Sequence, residues 1–548
     1  MQQPIIYGAL SLLLSLSFMG NLCAQRVKAK FGKLSQEEFA TTEFPGDPDA
    51  SAIILYERAN IYWQVSAEKL QMVYEYHKRI KILDESAIDA YASWELGPYY
   101  SHRRSASISQ IKGFTYNADE NGNIERVKLE PKAVYTEKPD KKHTIKSFGM
   151  PQVKVGSVIE LSYRYTTNRL TVVDNQFLQT QTPKLYSEVT LAAPDGVIYN
   201  PVFMGEVVSL GKETKTSNAS SLKLIANSYW ARNIPAFKDE AYLSHWKNHA
   251  FRVQFTLTAI TWPGYEKDWR QTWPKINRTL LEDEDISPYL SQNGDVRKLW
   301  YIIRATAKEE TPEAYLDAII TYLRTELEWN GRLSKYPSES PGGLLREEKG
   351  NSAALNMMLI ALCREAGLEA DPVLISTRKH GMAQQVYPMI RQFNHLIARV
   401  GTNESPQFID VASTLHAHQQ IPERDLNGAG FILHPDGYQW VSLSPQKGFQ
   451  HRVTSRLTMD EEGVLRGQMS ADEKAYAASS LRSYYDADEM EEEEFVAEVL
   501  AEGMVDGSMS AESVENLEDL NAPLKVKCEI ETADFSQKAG NMLYFEPM

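Results

Sequence analysis

The chain has 548 residues, 43% hydrophobic and 10% aromatic, with a formal net charge of -15. That length exceeds what one core usually holds and the apolar content excludes a disordered chain, so about three globular domains are expected. The acidic balance, without a clustered Lys/Arg stripe, argues against a nucleic acid or an anionic membrane surface as partner.

Residues 5–20, IIYGALSLLLSLSFMG, form an apolar run too short to span a bilayer, and LCA offers small residues before Gln25. This is the pattern of an export signal over 1–24, cleaved after Ala24, and it predicts a periplasmic or cell-envelope protein. Gly20, Asn21 and Leu22 make a poor lipid-attachment sequence, so an anchor at Cys23 is not expected. The other cysteines, Cys363 and Cys528, fall in different expected domains and form no disulfide framework.

Residues 25–270 read as an N-terminal β-sandwich domain. In LQMVYEYHKRIKIL, Leu70, Met72, Tyr74, Tyr76, Ile80 and Ile82 alternate with polar residues, the period of a strand with one buried face. In ISQIKGFTYNADENGNIERVKL, Asn121 and Gly122 stand between two strand-like runs and predict a hairpin turn. VGSVIELSYRY, SEVTLAAPDGVIY and FRVQFTLTAITW continue the pattern. Many short strands separated by turns point to a sandwich.

Near residue 270 the period changes to that of helices. TPEAYLDAIITYLRTELEWNG opens with Thr311 as N-cap and Pro312 at the first helical position. It sets Leu316, Ile319, Ile320, Leu323 and Leu327 on one face and offers Gly331 as its stop. The stretch EEKGNSAALNMMLIALCREAGLEADPVLISTRKHG, residues 347–381, predicts a second helix followed by the strand VLIST. Leu355, Leu359, Leu362 and Ala366 recur at helical spacing, and Gly367 closes the helix. Two strands follow, FNHLIARV and QFIDVAST, joined by the turn GTNESP.

His395 and Asp410 are 15 residues apart, so a hairpin centred near Thr402 and Asn403 sets them opposite or diagonal. That places them within ~8 Å of each other. Ser352 stands in the first turn of the second helix, so a hydroxyl, an imidazole and a carboxylate can converge as nucleophile, base and orienting group.

The succession GNSAALNMMLIALCREAGLEADPVLISTR, FNHLIAR, FIDVAST resembles the core of the transglutaminase-like superfamily, over roughly residues 270–445. The resemblance implies a papain-type core with a Cys, His, Asp site. His395 matches the family's His and Asp410 its Asp, while the nucleophile position holds Ser352 in place of Cys. Residues 51–270, with SFGMPQVKVGSVIELSYRY among them, are similar to the uncharacterised β-domain that precedes such cores in bacterial envelope proteins. Residues 446–548 look like the start of the β-rich domain that follows. The expected fold is therefore multidomain α+β: an N-terminal β-sandwich over 25–270, a transglutaminase-like core over 271–445, and a partial, incomplete C-terminal β-rich domain over 446–548.

A Cys at a helix N-terminus beside a His ionises, its pKa falling from about 8.5 to ~4. A Ser hydroxyl acts only if His395 takes its proton during attack and donors hold the oxyanion. Ser is also among the best N-caps, worth about 1 kcal/mol over Ala, which gives Ser352 a sufficient structural role. Three readings stay open. The first is a catalytically inactive transglutaminase-like module that binds a peptide, protein or glycan at the cell envelope. The second is an acyl-transfer enzyme, peptidase, isopeptidase or transamidase, with Ser352 as nucleophile, His395 as base and Asp410 as orienter. The third is a structural protein of envelope assembly.

Other candidates carry less. Cys363 lies 11 residues along the helix from Ser352, about 16 Å away, and reads as an inert core thiol. His380, His416, His418 and His434 lack the spacing of a zinc motif and read as loop and surface residues. No Walker loop, dinucleotide fingerprint or HExxH occurs, and neither a cofactor nor a metal is expected. The run Asp486 to Glu494 reads as the solvated start of a helix that buries Phe495, Val499 and Leu500.

Overall fold

The computed structural model describes residues 26–545 except 66–69, 101–104, 139–142, 172, 207–208, 220–221, 239, 241–242, 263, 402–405, 418–419, 446–447, 488–489, 501–506, 534–535 and 540–541. The expected export signal over 1–24, Thr402, Asn403 and His418 lie outside the described residues. Two compact units divide the chain, Met1–Arg270 and Gln271–Met548.

The first unit is mostly β. Its centre is an eight-stranded sheet in which the strand Ala52–Val65 pairs with Leu70–Ile82, and that strand in turn with Val158–Thr167. Met72, Tyr74, Ile80 and Ile82 are buried on one face, as the alternation requires. Two smaller sheets cover that face, one supplying Val253, Phe255 and Leu257, the other Leu96 and Phe148. Sheet on sheet is the layering expected of a sandwich. On the other face Glu160 is fully buried and accepts from Arg79 Nε at 2.8 Å and Tyr116 OH at 2.7 Å. The Asn121–Gly122 turn joins Ala106–Ala118 to Ile124–Lys128, with Gly122 at φ 80°, a left-handed position that suits glycine.

In the second unit the helix Ser352–Glu365 is the axis of the core, and every residue from Ser352 to Cys363 is buried. Helices Gly294–Arg304 and Pro312–Glu326 pack on it from one side. From the other comes an antiparallel five-stranded sheet ordered Gln407–Ile409, His395–Val400, Ala370–Ile375, Ala429–Ile432, Gln439–Ser442. A run that is apolar nearly all round belongs inside, which is why this helix has no solvent face. Thr311 caps Pro312–Glu326 as expected, its side chain accepting from Ala314 N–H. The stop is different: that helix ends at Glu326, and Glu328–Trp329 turns into a short parallel bridge with Lys349–Gly350, well before Gly331. Pairing with Gly350 ends the helix early because the backbone hydrogen bonds of 328–330 go to 348–350 instead.

The C-terminal part of this unit is a four-stranded sheet, Phe449–Met459, Leu465–Ala475, Leu524–Thr532 and Gly507–Glu515, with helices Tyr476–Ala487 and Glu492–Leu500 against it. Of the acidic run, Asp486 lies in the first of these helices and Glu492, Glu493 and Glu494 open the second, Asp488 and Glu489 lie outside the described residues, and Val496 takes the fully buried place expected for Val499.

Leu359→Ala truncates a side chain in the centre of the helix axis, where all neighbours are packed. A loss of about 2–5 kcal/mol is expected. Alkylation of the buried Cys363 reads it directly, with the urea concentration at which labelling begins falling in the variant. Labelling at the wild-type urea concentration would contradict the packing described.

Candidate functional site

Gly350 sets up the N-terminus of the central helix. A Cβ at this residue would lie 2.6 Å from Leu344 Cδ1 and 3.2 Å from Ala354 Cβ, so a side chain here would have to displace the buried Leu344. The cap is Asn351, one residue before the position expected: its Oδ1 accepts from Ala354 N–H at 2.9 Å. Ser352 is therefore the first helical residue, and its hydroxyl is spared from capping. Instead Ser352 Oγ meets His395 Nδ1 at 2.9 Å and accepts from Ser334 N–H at 3.0 Å.

The three residues singled out in the sequence are brought together. His395 Nε2 lies 3.2 Å from Asp410 Oδ2, so Ser352, His395 and Asp410 form one hydrogen-bonded line. The strands pair Ala398 with Ile409, which leaves His395 and Asp410 diagonal at the end of the ladder. Asn356, one turn along the helix from Ser352, fixes the far end. Its Nδ2 donates to Asp410 Oδ1 at 2.7 Å and to Leu396 O at 3.0 Å, and its Oδ1 accepts from Val411 N–H at 2.9 Å.

Enclosure is complete. Ser352, His395 and Asn356 are 0% exposed and Asp410 is 1%. Residues 332–338 close the helix N-terminus: Arg332 O accepts from Ser352 N–H at 3.1 Å, Tyr336 O from Asn351 Nδ2 at 2.8 Å, and Ser338 Oγ from Asn351 N–H at 3.1 Å. Lys335 Nζ donates to Phe393 O at 2.9 Å and ties the segment to the residues leading into the His395 strand.

Two residues that the sequence reading did not pick out complete the cluster. Arg424 Nη2 donates to Asp410 Oδ2 at 2.6 Å, its guanidinium lying over the Trp329 ring at 5.2 Å. Asp425 is fully buried, 3.9 Å from His395 Nε2, and neither of its carboxylate oxygens has a hydrogen-bond donor. Burial, and then the Asp410 charge, push Asp425 up to about 7. Asp410 is opposed by burial, but His395, Arg424 and Asn356 outweigh that and hold it far below the usual carboxylate range. For His395, burial disfavours the imidazolium, yet the Asp410 and Asp425 carboxylates outweigh it and raise its pKa. Protonated, His395 Nδ1–H donates to Ser352 Oγ, and the Ser352 hydroxyl proton is left only Ser334 O at 3.5 Å.

His395, Asp410 and Asp425 place ligand-type atoms within 4.8 Å of one another, donors that suit a divalent cation. The Arg424 guanidinium already sets a positive charge against two of them.

The remaining candidates lie elsewhere. Cys363 is buried and burial pushes its thiol up to about 12, while Cys363 and Cys528 are both free. His416, expected at the surface, is instead buried, with Nδ1 2.6 Å from Ser413 Oγ and Nε2 3.1 Å from Glu423 Oε2. Its loop is drawn inward because His416 O accepts from Arg324 on the helix Pro312–Glu326. His380 is exposed and His434 half-buried, and both lie outside the cluster. Asn356 had a readable signal, a polar residue four after Ser352 in an apolar run. Arg424 and Asp425 had none, since they arrive on a single 3-10 turn, Glu423–Asp425, with no periodic pattern to mark it.

Residues 301–445 match the Transglutaminase-like superfamily, and residues 69–221 match a Domain of Unknown Function, DUF3857. No curated protein matches the chain. Among solved structures, the chain is similar in fold to a "putative protease" from Parabacteroides distasonis, at 12% identity and a TM-score of 0.52, over 91% of this chain and 94% of that one. A structure named as a TGase aligns with 44% of this chain and 53% of its own at 13% identity and a TM-score of 0.18. The chain thus carries a transglutaminase-like domain over residues 301–445, preceded by a DUF3857 β-domain.

Proposed function

We propose that this is an exported, catalytically inactive transglutaminase-like protein that binds a peptide, protein or glycan at the cell envelope. The observation that carries the inactivity is the enclosure of Ser352, whose hydroxyl is 0% exposed and already accepts from Ser334 N–H. Acyl transfer needs a nucleophile that reaches a carbonyl carbon and donors aimed at the developing oxyanion. Here the Ser352 N–H, the usual kind of oxyanion donor, is bonded to Arg332 O. A raised His395 pKa favours the imidazolium, which cannot take the Ser352 proton, over the neutral ring that could. In this reading Ser352, His395, Asp410 and Asn356 act as a polar clasp joining one helix to two strands. Export is supported by the apolar run 5–20 and the LCA that follows it.

One observation favours a second reading. The hydrogen-bonded order Ser352, His395, Asp410 is that of a nucleophile, base and orienter in an acyl-transfer hydrolase or transamidase. It requires residues 332–338 to move away from the helix N-terminus.

A fluorophosphonate separates the two. Intact-mass analysis of the treated protein is expected to find no adduct on Ser352, with Ser352→Ala as control. A single adduct that vanishes in the control would make the protein an enzyme.

The clasp also has a pH signature. Because Asp425 titrates near 7 when folded and near 3.8 when unfolded, the folded state keeps a proton that the unfolded chain has lost between those values. Its contribution to stability is therefore present at acid pH and lost as the pH rises through that window. Asp425→Asn removes the titration, so the variant should gain on the wild type from pH 4 to pH 7. At about 1.4 kcal/mol per pH unit the gain is on the order of 3 kcal/mol. Urea melts across this range check it, and a constant difference between the two proteins would contradict the assignment.

A further inference from the structure

The strand Phe449–Met459 takes no part in the clasp. It forms one edge of the four-stranded sheet in the second unit, pairing with Leu465–Ala475 on one side and with no described strand on the other. Ten of its 11 residues are exposed, Leu457 alone being half-buried. The hairpin that follows closes with Asp460 N–H donating to Val464 O. In the antiparallel alternation the even-numbered residues therefore bond inward, while His451, Val453, Ser455 and Leu457 turn their N–H and C=O groups outward.

The two faces of FQHRVTSRLTM differ in chemistry. Phe449, Val453, Leu457 and Met459 share one face, with Val453 across from Ala471 and Met459 across from Leu465. The helices Tyr476–Ala487 and Glu492–Leu500 cover this face further into the sheet, and Leu457 packs against their core. Phe449 is nevertheless left 67% exposed, and Val453 and Met459 42% each. The opposite face carries Arg452 and Arg456, and the strand contains no Asp or Glu. Neither guanidinium has a hydrogen bond or ion pair among the described residues, although Asp472 stands across from Arg452 in the ladder.

An open backbone edge, an uncovered apolar strip and two unpaired cations thus coincide on one strand. An open edge takes up another strand, with main-chain hydrogen bonds giving affinity and alternate side chains giving specificity. Arg452 and Arg456 are four residues apart on one face, a span of about 13 Å. A strand with carboxylates at alternate positions sets one beside each arginine and turns its other side chains onto Val453 and its apolar neighbours. A second copy of Phe449–Met459 would instead bring two more arginines and no carboxylate, so charge disfavours self-pairing. We propose that this edge docks an extended acidic peptide, alternating carboxylate and apolar side chains, as a further strand of the sheet. The inference rests on the binding role proposed above and gives it a surface and a peptide class, but it does not depend on the chemistry of Ser352.

The test is fluorescence anisotropy of the full chain with a labelled peptide that alternates glutamate and valine, against the same peptide with lysine for glutamate. The glutamate peptide should bind with Kd of about 100 μM or tighter. The lysine peptide should bind at least about tenfold more weakly. Arg452→Glu combined with Arg456→Glu alters only exposed side chains. That variant should melt like the wild type and weaken the glutamate peptide about tenfold or more. Val453→Pro removes an outward N–H, which an edge strand tolerates, and should weaken it as well. No binding of the glutamate peptide, or equal binding of the lysine peptide, would overturn the assignment. Binding untouched by both variants would overturn this edge as the surface while leaving the binding role standing. Failure of the inactive reading is seen separately, as a fluorophosphonate adduct on Ser352.

Discussion

A polar cluster inside an apolar core persists only if its groups find partners, and here those partners are supplied by one segment, one amide and the Arg424 guanidinium. Residues 332–338 satisfy the backbone and the hydroxyl at the N-terminus of the central helix, while Asn356 satisfies the strands that carry His395 and Asp410. Removing either leaves buried donors or acceptors with no water to replace them. The rest of the core arrangement follows: the helix cannot slide along the sheet, because each end of its polar face is bonded to a different element.

The reading proposed above has Ser352 standing where the family resemblance expects a thiol. A thiolate and imidazolium pair needs charge separation at a helix N-terminus open to substrate. A hydroxyl does not ionise there, and it is small enough to be closed over by a backbone N–H. With Ser352 accepting from Ser334 and facing His395, the proposed reading gives the same three positions a role in packing instead of reaction. Asp425, whose carboxylate oxygens accept no hydrogen bond, is a costly feature of the clasp, and burial answers that cost by raising its pKa to about 7, toward the neutral form.

Much of this was legible in the sequence, for identifiable reasons. The alternation through Met72, Tyr74, Ile80 and Ile82 and the helical spacing through Leu355, Leu359 and Leu362 report burial directly, so both elements could be read. The convergence of Ser352, His395 and Asp410 followed from hairpin arithmetic and family resemblance together. What could not be read depended on contacts distant in the chain. Asn351 and Ser352 are both good caps, and only the Ser334 and His395 contacts decide that Asn351 caps while Ser352 turns inward. The early end of Pro312–Glu326 depends on a bridge to Gly350, more than twenty residues on. His416 looked like a surface residue because nothing local shows that Arg324 and Glu423 hold it inside.

The central claim is that the nucleophile position is sealed, and the most direct measurement replaces its hydroxyl with a reporter of nearly the same size. Ser352→Cys is exposed to iodoacetamide under native conditions, and modification is quantified on the peptide that contains residue 352, with Cys363 as the buried control. The account predicts that residue 352 is modified no faster than Cys363, and that both react only as the second unit unfolds. Rapid modification at residue 352 while Cys363 stays protected would show an open cleft and contradict it.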